Sequence, residues 1–166
     1  MDTEQNVQLD QLDAELIALL TTEPRIGVLE CSRRLRVARG TVQARLDKLI
    51  DRGVINGFAP QVSPAAIGFV VTSFVTLEIG QRHGHGPVAA HLHAIPEVLE
   101  AHTISGSGDL MCRIVARSNA DLQRVLDQIL AYDGIRRAST IIALAEQIPY
   151  RVLPLVQAAA DVTGRR

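Results

Sequence analysis

The chain has 166 residues, 47 % of them hydrophobic, enough for one medium domain or two small ones. A formal net charge of −1 excludes a uniformly sticky nucleic-acid binder, so any DNA contact must come from a localised cationic patch. Two cysteines far apart in sequence, an N-terminus MDTEQNVQLD without signal-peptide character and no apolar run of bilayer length are the pattern of a reduced, cytoplasmic protein.

Residues 1 to 8 read as a short disordered lead. Asp10 can cap a helix whose apolar positions are Leu9, Leu12, Leu16, Leu19 and Leu20; Asp13 adds negative charge to its first turn, and Pro24 ends it. A second helix is predicted from about Val28 to Leu35 and a third from about Arg39 to Arg52, with Gly53 as its stop. In the third helix Val42, Leu46, Leu49 and Ile50 recur at i, i+4, i+7 and i+8, one stripe for a core. The opposite face carries Gly40, Gln43, Ala44 and Asp47. From Cys31 to Arg52 there are seven basic residues (Arg33, Arg34, Arg36, Arg39, Arg45, Lys48, Arg52) against Asp47 and Asp51, a local charge of +5.

Asn56-Gly57, flanked by Ile55 and Phe58, predicts a β-hairpin within Val54 to Val62. Residues 1–62 therefore read as a winged helix-turn-helix, whose wing carries no Lys or Arg and is not expected to enter a minor groove. Arg39, Gly40, Thr41, Gln43 and Ala44 are placed to reach base edges: Gln suits adenine, Arg guanine, and a Thr methyl the thymine methyl. Arg33, Arg34, Arg45, Lys48 and Arg52 are phosphate candidates, which orient without reading sequence. The competing view is an amphipathic helix with an idle solvated face; the adjoining helix and hairpin weigh against it.

Residues 63–68, with Ser63, Pro64 and Gly68, mark a hinge. A different texture follows over 69–148: strand Phe69 to Ile79, helix Pro87 to Ile95, strand Val98 to Ser105, turn GSGD at 106–109, strand Leu110 to Ala116, helix Asn119 to Tyr132 capped by Ser118 or Asn119, and strand Ile135 to Ala145. The order βαββαβ is ferredoxin-like, making the whole chain α+β. In the first strand Phe69, Val71, Val75, Leu77 and Ile79 oppose Val70 and Phe74, and in the last Ile141 and Ala143 oppose Ile142 and Leu144. Two helices cover only one face of such a sheet, so the other predicts an interface with a second copy. A two-fold pair presents two reading heads to half-sites about one turn (~34 Å) apart or a multiple.

With these residues in view the chain resembles the Lrp/AsnC (feast/famine) transcriptional regulators. The likeness is carried by LDxLDxxLIxLL from Leu9, by TVQARLDKLIDRGVINGF with the following SPAAIG, and by the βαββαβ half with its GSGD turn; it spans roughly Leu9 to Ile148. The resemblance implies a DNA-binding regulator whose C-terminal RAM-type domain dimerises, often assembles to octamers and binds a small effector, commonly an amino acid. It also implies an effector site at Gly106, Ser107, Gly108 and Asp109, at His102 and Ile104 before the turn, and at Ser139 and Thr140 in the last strand. Free N–H groups of a Gly-rich turn could hold a carboxylate, and Asp109 or a carbonyl an ammonium. The plain alternative is a hairpin connection with Asp109 bonding its own backbone.

Departures from the family pattern are Arg36, Val37 and Ala38 where a Gly-Leu-Ser turn is usual; Ala38 cannot cap the third helix and Arg36 sits where glycine relieves strain. His102 stands where an aromatic can occur. The tail 149–166 exceeds what the resemblance explains.

Four rival readings are weaker. His83, His85, His91 and His93 suggest a metal sensor, yet His91 and His93 lie ~200° apart around a helix. No nucleophile–base pair, HExxH or P-loop signals an enzyme. LMCRIVA lacks the aromatic platforms of an RNA-binding sheet, and only 3 % of residues are aromatic. An architectural, nucleoid-type protein that wraps DNA without an effector is the closest rival. No cofactor is expected beyond the effector.

Overall fold

The computed structural model describes residues 7–80 and 84–163. The chain divides into two compact units, one made of residues 1–60 and 149–166, the other of 61–148.

The first unit contains helices α1 (Gln11–Thr22), α2 (Val28–Leu35) and α3 (Arg39–Asp51), and also α6 (Leu153–Thr163). The start of α1 is a capping box: the Asp10 carboxylate accepts from Asp13 N–H at 2.9 Å, and the Asp13 carboxylate accepts from Asp10 N–H at 3.3 Å. α2 ends on Arg36 in the left-handed region, φ 55°, and the Val37 N–H donates back to Ser32 O at 3.1 Å. Ala38 precedes α3 without a side-chain cap, as its methyl dictates. Leu9, Ala14, Leu16, Cys31, Val42 and Leu49 form the core of the unit together with Val156 and Ala160 from α6. The tail is thus no appendage: α6 returns to pack on α1. Ile50, placed in the apolar stripe by its spacing, is 42 % exposed and lies at the edge of that stripe.

The expected wing is absent: residues 54–62 form no strand. A type I′ turn needs positive φ at both central residues, but Asn56 is not among the left-handed residues, and Gly57 is at φ 153°. The segment leaves α3 instead through a C-terminal cap, with the Val54 and Ile55 N–H groups both donating to Leu49 O. Pro60, which has no N–H, stands where a return strand would form.

The second unit begins with a 3-10 turn at Ala65–Ile67 and builds β1 (Val71–Ile79), α4 (His85–His93), β2 (Val98–Thr103), β3 (Leu110–Ala116), α5 (Asn119–Leu130) and β4 (Ile135–Ala143). The four strands are antiparallel in the order β2-β3-β1-β4, the ferredoxin-like pattern read from the sequence. Ser118 caps α5, accepting from Asp121 N–H. Val75, Leu77, Cys112 and Ile114 point from the sheet into a core with Val88 and Leu92 of α4 and Leu122, Val125 and Ile129 of α5. On the opposite face Phe74, Met111 and Ile141 are exposed, alternating with Thr76, Arg113 and Ser139 in the cross-strand register. The open face is therefore more polar than the alternation suggested. Both cysteines are free and buried. Among the described residues no helix is long and apolar enough to cross a membrane.

Candidate functional site

α3 buries Val42 and Leu49 and turns Gly40, Thr41, Gln43, Ala44, Asp47 and Lys48 outward. Nothing lies within 4 Å of where a Gly40 side chain would begin, so the start of this face is open. Arg39, Lys48 and Arg52 are exposed at its ends and flank, and no ion pair is formed by them among the described residues. Gln43 Nε2 donates to Asp47 Oδ1 at 2.8 Å along the helix.

The cations of this segment separate into free and engaged ones, which composition could not show. Arg45 Nη1 donates to both carboxylate oxygens of Asp10 at 2.7 and 2.6 Å and to Asp13 Oδ1 at 2.8 Å. It ties α3 to the N-terminal cap of α1, and the Asp13 side chain beneath it is only 7 % exposed. Burial works to raise the Asp10 pKa, but the Arg45 hydrogen bond and charge, with N–H donors at Asp13 and Leu12, bring it below its ordinary 3.8. Arg45, expected at phosphate, is held internally instead, because its guanidinium finds two carboxylates from another helix. Arg34 bonds both Glu23 and Glu30. Arg33 lies 3.6 Å from Glu30 and is largely exposed. Such half-exposed pairs contribute little and exchange readily, so Arg33 remains available while Arg34 is partly neutralised.

In the second unit the GSGD turn is stitched to β1. The Asp109 N–H donates to Leu77 O at 2.9 Å, and Ile104 N–H donates to Asp109 O at 3.1 Å. One Asp109 carboxylate oxygen accepts from Ile79 N–H at 2.6 Å, where the β1–β4 register shifts between Glu78 and Ile79. Asp109 thus continues the sheet with one side-chain oxygen rather than bonding its own turn. Gly108 sits at φ 134°, and a Cβ there would be 2.3 Å from Thr76 Cγ2. Gly106 and Ser107 are exposed. His102, Met111, Thr76 and Ser139 lie in one row across the open face, and the turn reaches this row through Gly108 against Thr76. Thr140 is next to Val75 in register and so belongs to the other face; it does not join the group.

The described histidines do not gather. His83 lies outside the described residues, His85 begins α4, and His91 contacts Gln128 O at 3.0 Å and stacks on Tyr132. No group of metal-ligating side chains occurs among the described residues. Sequence reasoning missed the service that Asp10 and Asp13 do for α3; their i, i+3 spacing signalled only the cap.

Residues 9–50 match the family model for the AsnC-type helix-turn-helix domain, and residues 71–153 that for the Lrp/AsnC ligand binding domain. A helix-turn-helix-type transcriptional regulator of Pyrococcus abyssi is 32 % identical over 137 residues, 82 % of this chain and 86 % of the relative. The structure of Escherichia coli AsnC aligns with a TM-score of 0.82 at 26 % identity, covering 89 % of this chain and 100 % of that one. A transcriptional regulator of Neisseria meningitidis, solved as an L-Met complex, shares the fold with a TM-score of 0.76 at 22 % identity, over 89 % and 99 % of the two chains.

Proposed function

The chain belongs to the Lrp/AsnC family of transcriptional regulators, with a helix-turn-helix and a ligand-binding domain, and from that membership we propose a sequence-specific regulator that binds duplex DNA through α3 as a dimer and responds to an amino acid. The observation that carries the DNA reading is the open face of α3, small at Gly40 and Ala44, bounded by the exposed cations Arg39, Lys48 and Arg52. Gly40, Thr41, Gln43 and Ala44 meet the bases with Arg39, while Arg33, Lys48 and Arg52 take phosphates and Arg34 contributes less. Relatives of this chain are regulators rather than enzymes.

Dimerisation is supported by the uncovered face of the sheet, where Phe74, Met111 and Ile141 are exposed. The effector reading is supported by the ligand-binding description of residues 71–153 and by the L-Met complex of the Neisseria regulator. His102, Ser139, Gly106 and Ser107 offer polar groups at one end of that face, beside Ile104 and Gly108, whose N–H groups already donate to Asp109 O and Gly106 O. Neither Thr140 nor the bonded Asp109 oxygen takes part. Fluorescence anisotropy against duplex DNA across a salt series, with footprinting with and without each amino acid, tests the proposal. Discrete protected sites that shift with one amino acid are expected. Long phased protection indifferent to all of them identifies an architectural protein instead, and no binding at low salt refutes the DNA reading.

A further inference from the structure

The outward face of α3 carries an acid where a polyanion would press. Asp47 lies one helical turn beyond Gln43, is exposed, and accepts a hydrogen bond from Gln43 Nε2 at 2.8 Å. A carboxylate only accepts, so the amide atom facing Asp47 has to be the nitrogen, and the amide is held one way round. Its carbonyl oxygen and second N–H are left free. That acceptor–donor pair complements the N6–H and N7 edge of adenine; a flipped amide would set oxygen against the carboxylate. Gly40 and Ala44 beside it have too little bulk to hold the helix away from a groove. The Asp47 charge also opposes binding to any duplex through phosphate repulsion, whatever the sequence.

We infer that Asp47 is a specificity-determining positioning residue: it holds the Gln43 amide so that adenine is preferred at the base Gln43 reads, and its charge suppresses binding to random DNA. The inference rests on α3 being the DNA-contacting helix. Selection by the full chain from a randomised duplex pool defines its site. Anisotropy titrations then compare that site, its single-base variants and a random duplex for wild type, D47A, D47N, Q43A and Q43A/D47A. D47A is expected to lose about tenfold in adenine preference at the same position that Q43A relaxes, and to bind random duplex more tightly. D47N, whose amide can turn to donate as well as accept, no longer holds Gln43 one way round and loses part of the preference while sharing the tighter random binding. The double variant is no less specific than Q43A. Unchanged thermal midpoints are expected, both side chains being exposed. Full adenine preference in D47A, or relaxation at a position different from that in Q43A, overturns the inference while leaving the DNA reading intact. A wild-type chain that selects no duplex overturns the DNA reading itself.

Discussion

Replacing Arg45 by alanine separates the two roles open to a cation on α3. In the folded chain one guanidinium nitrogen bonds Asp10 and Asp13, and the Asp13 side chain is buried. Removing one partner of a fully buried ion pair costs about 3–5 kcal/mol, because the other charge is left without compensation. Here Arg45 and Asp10 both keep contact with solvent, so water takes up part of the loss. A destabilisation of about 2 kcal/mol is expected, a fall of roughly 5–15 °C in the melting of the helical unit. The acid limb of the stability profile adds a second readout. Asp10 has a folded pKa below 3.8, set by Arg45 and by N–H donors against the opposing effect of burial. Its stabilisation is complete above its unfolded pKa and is lost as pH falls through the folded value. Arg45→Ala removes part of the depression, so the stability lost on acidification becomes smaller. Thermal unfolding by circular dichroism between pH 2.5 and 7 measures both. An unchanged midpoint, together with a DNA salt slope reduced by about one unit, would show that Arg45 serves phosphate and that its carboxylate partners contribute nothing.

Three further substitutions or modifications follow from local geometry. Arg36 holds the left-handed region at φ 55°, which costs a side-chain-bearing residue about 1–2 kcal/mol; Arg36→Gly relieves this against a larger unfolded-state entropy, so a net gain of about 0.5–1 kcal/mol is expected in urea titration, and a loss would refute it. Gly108→Ala places a methyl 2.3 Å from Thr76 Cγ2 at φ 134°; a destabilisation of about 3 kcal/mol is expected, read in the same titration. Burial pushes the Cys112 thiol up to about 11 and raises that of Cys31, so neither is expected to react with iodoacetamide at pH 8 until urea unfolds the chain; mass spectrometry of the labelled native protein checks this.

What could be read from the sequence was local in origin. The Asp10 cap, the helix boundaries of α2 and the βαββαβ order follow from patterns a few residues long, and the structure repeats them. The Asn56-Gly57 signal is equally local but lost to its surroundings, since Leu49 O already takes the Val54 and Ile55 N–H groups and Pro60 stops a return strand. α6 had a period to find: Leu153, Val156 and Ala160 lie on one side and Gln157 and Asp161 on another, with Pro154 in the first turn, where proline is tolerated. The resemblance ended at Ile148, and composition past it, rich in alanine, read as tail. The effector residues are implied by the resemblance, which marks stretches of strand and not their faces; Ser139 and Thr140 are neighbours in sequence and so face opposite ways.

Charge shows most clearly what a linear reading cannot supply. The segment from Cys31 to Arg52 has a charge of +5 on paper, but a cation acts on a distant polyanion only if folding leaves it unpaired. Asp10 and Asp13 lie 35 and 32 residues from Arg45, and Glu23 lies 11 from Arg34, separations at which no helical spacing rule operates. Folding therefore splits the basic residues into those that build the reading head and those that remain on its surface. Arg45 belongs to the first class, and Arg39, Lys48 and Arg52 to the second. The same division explains why α3 stays fixed without a side-chain cap at Ala38: the helix is anchored through its middle, by an ion pair to the cap of α1, rather than at its start. An anchor there leaves the first turn, with Gly40 and Thr41, unencumbered on the side where a base edge would come.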